Sequence, residues 1–177
     1  MSDTKINVNL SGLDSLRRAL GNNMQAKVGF LGSGKGQEQH KTEGGQTITN
    51  AELALIHIYG SISRNIPPRD MLKAPIQSKM SEIVAFLNSD KIKELITAGK
   101  IEECYKLLGI FGENIVQEAF NTGGFGKWPA NADITLKGGW MRSSSGKPFY
   151  VKPKKSTAPL IDTGQLRRAV SSEVAKS

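Results

Sequence analysis

Residues 49–72, Thr-Asn-Ala-Glu-Leu-Ala-Leu-Ile-His-Ile-Tyr-Gly-Ser-Ile-Ser-Arg-Asn-Ile-Pro-Pro-Arg-Asp-Met-Leu, constrain the fold more than any other stretch, because three local signals agree there. Thr49 and Glu52 have the spacing at which a hydroxyl and a carboxylate satisfy the orphan N–H groups of a helix start, and Gly60 stands where that helix stops. Ile66-Pro67-Pro68 then fixes two φ angles and biases the preceding residues toward extended backbone. The stretch reads as a short apolar helix, a stop and a rigid bend that delivers Arg69 at the head of the next helix. Taken locally, Arg69 is expected to pair with a carboxylate or a helix C-terminus. Taken with the rest of the chain, it is expected to brace the junction between two layers or the seam between subunits.

On either side the periodicities alternate between two and 3.6. Ile6, Val8 and Leu10 read as a half-buried strand, and Leu13, Leu16 and Leu20 as the stripe of a short helix. Residues 26–31 read as a second strand. Leu72, Ile76, Met80, Ile83 and Leu87 mark a helix from about Lys73, with Pro75 in its first turn, and Asn88-Ser89-Asp90 breaks and recaps it. A segment through Ile96 stops at Gly99, and Ile101, Cys104, Leu108, Phe111, Ile115 and Ala119 then form the apolar face of a third helix. These helices can pack as a hairpin. Cys104 lies on that face without a positioned base, which suits a small core residue rather than a nucleophile. Past Gly123, Ile134 and Leu136, Trp140 and Met141, and residues 149–151 read as strand pieces of an extended arm. In the closing segment Asp162 or Thr163 caps one helical turn anchored by Leu166, and Val170, Ser172 and Val174 form a final strand.

The expected architecture is a single α+β domain over 1–177: a small, mostly antiparallel sheet packed with helices, a helical hairpin in the middle and a basic β-arm. Its segments are strand–helix–strand at 1–31, a flexible Gly-rich loop at 32–48, a helical region at 49–122, the arm at 123–158, and a closing turn and strand at 159–177. No run of 18 apolar residues and no basic–apolar–small leader is visible, so no membrane partner is expected. One cysteine excludes an internal disulfide framework, and no cofactor or metal is expected.

Charge becomes informative when it is located. Residues 1–136 hold 15 Lys+Arg against 14 Asp+Glu, whereas 137–177 hold 9 against 2, so nearly all of the net +8 is C-terminal. Such a block favours an acidic partner. In the arm, Lys137, Arg142, Lys147, Lys152, Lys154 and Lys155 interleave with Trp140, Phe149 and Tyr150, a pattern that suits phosphates and stacked bases, or equally a packed arm with a lysine-guarded edge. Gly29-Phe-Leu-Gly-Ser-Gly34-Lys35 matches seven positions of a P-loop. Gly36 stands at the eighth, where magnesium needs a hydroxyl, so nucleotide hydrolysis through Lys35 is disfavoured, as is acid–base chemistry through an isolated Asp162.

In collinear order from Val28 to Val174, the Val-Gly-Phe-Leu strand, the helix ending Ala-Leu-Ile-His-Ile-Tyr-Gly, Ile-Pro-Pro-Arg-Asp-Met-Leu and Pro-Leu-Ile-Asp-Thr-Gly-Gln-Leu-Arg resemble the tail-completion or virion-morphogenesis proteins of tailed bacteriophages. Members of that family usually carry Glu-Phe-Gly or a similar triplet at Ile58-Tyr59-Gly60 and Arg-Pro-Phe at Arg69-Asp70-Met71. The resemblance implies a non-catalytic structural subunit, assembled in the host bacterial cytoplasm into a ring, a hexamer being the expected form, at the tail or neck of the virion. Other tail and connector proteins would be its partners, and genomic DNA would pass non-specifically through the channel. It places Tyr59, Gly60, Pro67, Pro68, Arg69, Asp162, Thr163, Gly164, Leu166 and Arg167 at a layer or subunit interface. Lys35 and the arm cations become contacts to the channel or a neighbouring subunit. The alternative is a basic nucleic-acid-binding protein that uses its C-terminal arm.

Overall fold

The computed structural model describes residues 24–32, 35–41, 47–143, 145–154, 156–161 and 163–176. The expected strand at 6–10 and helix at 13–20, together with Lys155 and Asp162, lie outside the described residues. The fold is α+β, with helices packed on small antiparallel two-stranded sheets.

Strand β1 (Met24–Gly29) alternates half-buried Met24, Ala26 and Val28 with exposed Gln25 and Lys27. A one-turn 3-10 helix (Lys35–Gln37) leads into β2 (Gln39–Lys41), which pairs antiparallel with β3 (Thr47–Thr49). The segment expected to be a loop throughout therefore carries a short hairpin. His40 opposite Ile48 is the register that the Gly and Gln content of the stretch conceals.

Helix α1 (Asn50–Tyr59) starts at the expected capping box: Thr49 N–H donates to Glu52 Oε2 at 2.8 Å, and Glu52 N–H to Thr49 Oγ1 at 3.2 Å. The expected continuous helix from Lys73 to Leu87 is two helices, α2 (Lys73–Ser78) and α3 (Met80–Leu87), broken at Lys79. Ser78 supplies the break. Its hydroxyl donates to the Pro75 carbonyl at 2.7 Å, while the Lys79 N–H closes back on Ile76 at 3.3 Å, tightening the turn. Helix α4 (Asp90–Thr97) begins where recapping was expected, but its N-cap Ser89 makes no side-chain capping hydrogen bond, and α5 (Ile101–Thr122) runs 22 residues to the left-handed Gly123.

Helix α5 lies across the sheet that β1 forms with β6 (Ser171–Lys176), registered Met24 opposite Lys176 through Gly29 opposite Ser171. Its contact face is not only the expected stripe. Gly109 and Gly112 are buried beneath the strands, and a Cβ at Gly112 would lie 3.0 Å from Val28 Cγ2. Glycine weakens a helix interior by about 0.5–1 kcal/mol, and here that is offset by letting the helix axis close on the sheet. Leu108 and Phe111, expected on the buried face, are half-buried.

Two apolar clusters form among the described residues. The larger gathers Ala54, Met71, Val116, Phe120, Leu166 and Val170. The smaller joins Ile92, Leu95 and Cys104, with Phe86 and Leu107 against it. Burial pushes the Cys104 thiol above its usual range, in keeping with a core position.

The first ten residues of the expected arm, 123–132, turn back onto the core, where Trp128 meets Phe120 edge to face at 5.6 Å. Ile134 and Leu136, expected in a strand, lie in helix α6 (Asp133–Lys137). Asp133 in the first turn and Lys137 in the last pair at 2.7 Å, an exposed i, i+4 contact that adds a little to the helix, while two apolar residues are too few to fix a period of two. The remaining arm is a hairpin of β4 (Gly139–Arg142) and β5 (Pro148–Val151). One turn of helix, α7 (Gln165–Arg168), precedes β6.

Candidate functional site at the Arg69 junction

The site is assembled from the bend after α1. Gly60 takes φ 72°, and a Cβ there would sit 2.6 Å from the Ile66 carbonyl oxygen, so only glycine lets the chain fold back so tightly. Ser61 and Ile66 then exchange two backbone hydrogen bonds of 2.9 Å, which fix the 61–66 turn, and the Arg69 N–H returns to the His57 carbonyl at 2.7 Å.

Arg69 is 6% exposed. Among the described residues its guanidinium holds no carboxylate. It donates from Nε to the Pro129 carbonyl at 3.0 Å and from Nη2 to the Ala130 carbonyl at 2.9 Å, sixty residues along the chain. The Trp128 indole N–H donates in return to the Asp70 carbonyl at 3.1 Å. Three long-range hydrogen bonds thus fasten 69–70 to 128–130. Among the described residues the partners of Arg69 are these distant backbone carbonyls rather than the local carboxylate or helix C-terminus expected, and the neighbouring Asp70 is occupied elsewhere: its carboxylate accepts the N–H groups of Leu72, Lys73 and Ala74 at 2.9–3.1 Å and caps α2.

A cleft of about 490 Å³ opens beside the clamp, with His57, Arg69, Lys154, Thr163, Gly164 and Leu166 among its lining residues. The two separated motifs meet there. Burial, followed by the charges of Arg69 and Lys154, pushes His57 down to about 4, so the imidazole is neutral at physiological pH. Its Nδ1 is buried and has no hydrogen-bond partner among the described residues. Burial also lowers the Arg69 guanidinium, which stays charged.

The other expected interface residues divide between inside and outside. Leu166 is buried, Thr163 Oγ1 accepts the Gln165 N–H at 3.3 Å, and Arg167 donates to Asn121 Oδ1. The left-handed Gly164, rather than Asp162 or Thr163, occupies the cap position of α7. Pro67 lines the cleft, whereas Pro68 is exposed and Tyr59 projects into solvent.

Nor do the expected arm cations form one patch. Lys137 is paired with Asp133, and the half-buried Lys154 reaches the Ala158 carbonyl at 3.3 Å on the cleft side. Arg142, Lys147 and Lys152 are exposed on or beside the β4–β5 hairpin. Lys35 opens the 3-10 turn. At Gly36 a Cβ would meet the Leu31 carbonyl oxygen at 2.6 Å, so the P-loop position that needs a hydroxyl has no space for one.

No protein-family model, curated protein or solved structure matches the chain.

His57, Trp128 and Gly112 are the positions that sequence reasoning passed over. His57 sits inside an apolar helix, where its burial follows from the later return of residues 154 and 163–166. Trp128 left a trace, since Trp-Pro directly after a Gly-rich helix end suits a chain that turns back onto the core. Among the described residues no helix is long and apolar enough to cross a membrane.

Proposed function

We propose that this chain is a structural assembly protein, one subunit of a ring in the tail or neck of a tailed bacteriophage. One observation carries the reading: the apolar face of helix α3 extends beyond what α5 covers. Ile83 and Phe86 are half-buried, Phe86 stacking on Phe111 of α5 at 4.6 Å, while Met80, Val84 and Leu87 are 49%, 49% and 41% exposed. Their spacing of four and three is that of a helix seam. An exposed apolar stripe of this kind on a helix calls for a cover that the described residues do not supply.

Two further features support assembly. The 61–66 turn holds a fully exposed Ile62 beside exposed Tyr59 and Leu55, and the turn is pinned at both ends. The Arg69 clamp stiffens the base of that projection, so an interface formed there would lose little conformational entropy on association. The collinear resemblance supplies the identity of the assembly and its hexameric form.

The reading is tested by co-purification. Tagged protein expressed with phage tail-tube and connector proteins is expected to enter particles of defined size, and recovery of this chain alone, with every partner left behind, would count against it.

A further inference from the structure

We propose that the outer face of the β4–β5 hairpin binds single-stranded nucleic acid, stacking unpaired bases on Trp140 and Tyr150. This inference is independent of ring assembly.

The register places Trp140 directly opposite Tyr150, and their rings meet edge to face at 5.6 Å. Alternation along a strand puts Arg142 on the face of Trp140, and Met141 and Val151 on the other face, which borders the cleft. The aromatic pair is therefore not what packs the arm against the domain. Trp140 is 73% exposed and Tyr150 46%. Two large π-faces held by a backbone ladder are already ordered, so a base that lands on them restricts little that was free.

Charge selects the occupant. From residue 134 to 161 the sequence has no Asp or Glu, and Arg142, Lys147 and Lys152 are exposed on or beside the same hairpin. Arg142 uses Nη1 on the Gly146 carbonyl at 3.1 Å, an anchor that fixes its guanidinium at the edge of the face. Stacking surfaces ringed by cations suit a phosphodiester with accessible bases, whereas a duplex offers phosphates but keeps its bases stacked internally. An apolar protein partner would gain nothing from the cations. An acidic one would not need the paired rings.

The test uses the full chain and fluorescein-labelled 20-nucleotide oligothymidine, with a mixed-sequence duplex of equal length, at 50 and 200 mM salt. The single strand is expected to bind about tenfold or more tightly than the duplex and to quench tryptophan emission. Since the second tryptophan, Trp128, is packed on Phe120, quenching reports Trp140. W140L/Y150L keeps apolar bulk but removes the π-faces and is expected to lose about tenfold in single-strand affinity, with W140F/Y150F retaining most of it. R142A/K152A is expected to flatten the salt slope by roughly 0.7 for each phosphate that is no longer neutralised. Circular dichroism melts confirm that each variant is folded. Equal binding of duplex and single strand, unchanged affinity in W140L/Y150L, or no binding at 50 mM salt would overturn the proposal.

Discussion

The Arg69 junction and the outward surfaces of α3 and the β4–β5 hairpin use similar side chains to opposite ends. At the junction an arginine, an indole and an aspartate are consumed by the chain's own backbone: Arg69 on Pro129 and Ala130, Trp128 on Asp70, Asp70 on the start of α2. On the hairpin an arginine, an indole and a phenol face solvent, and on α3 so do three large apolar groups. Polar groups satisfied within the chain hold a fold. Rigidly displayed groups left over are available to another molecule. Substitutions at the junction should therefore cost stability, and substitutions on the open faces should cost association.

The largest effect is expected at Arg69. Arg69→Ala removes two charge-assisted hydrogen bonds and leaves the Pro129 and Ala130 carbonyls without their donors, for a loss of about 3 kcal/mol by urea unfolding. Retention of full stability would show that the clamp is dispensable.

Acid probes the same junction through His57. The unfolded side chain titrates near 6.5 and the folded one at about 4, so between those values the unfolded state binds the extra proton. Stability should rise with pH across that window and be lost as pH falls through about 4, the full difference being about 3 kcal/mol. Comparing wild type with His57→Gln at pH 7 and pH 4 isolates it, because the variant lacks this part of the acid loss. Parallel acid profiles would remove His57 from the account.

Gly112→Val drives a side chain into Val28 and is expected to cost about 1–3 kcal/mol, separating β1 from α5. Thr49→Ala breaks the capping box for about 1 kcal/mol in the same unfolding assay. Smallest of all on monomer stability, V84E/L87E should change the unfolding curve little when both proteins are diluted to monomer, since both side chains lie on the exposed side of α3. A large drop there would place α3 in the core and dissolve the distinction between closed and open regions.

Much of the junction was legible in the sequence because its signals are local. The capping box, the Gly60 stop, the Pro67-Pro68 bend, the start of α2 near Lys73 and the turn around Leu166 each depend on neighbours a few residues away. What was not legible depends on return of the chain from a distance. The carbonyls that hold Arg69 belong to Pro129 and Ala130, and nothing near Arg69 specifies them. Gly109 and Gly112 look like flaws in an apolar stripe until β1 and β6 lie on them. At Ile134 and Leu136 two residues were too few to fix a period, and the exposed Asp133–Lys137 pair adds only a little to the helix. The hairpin strands and the exposed Trp140 were readable by position, but whether the ring faced in or out was set by the register with Tyr150.

Native mass spectrometry of wild type beside V84E/L87E tests the central claim most directly, namely that the open α3 stripe is an assembly surface. Wild type is expected to form one discrete oligomer, six copies under the phage-ring reading, and the variant to be a folded monomer. A wild-type chain that is strictly monomeric at tens of micromolar, or a variant that assembles as wild type does, would contradict it.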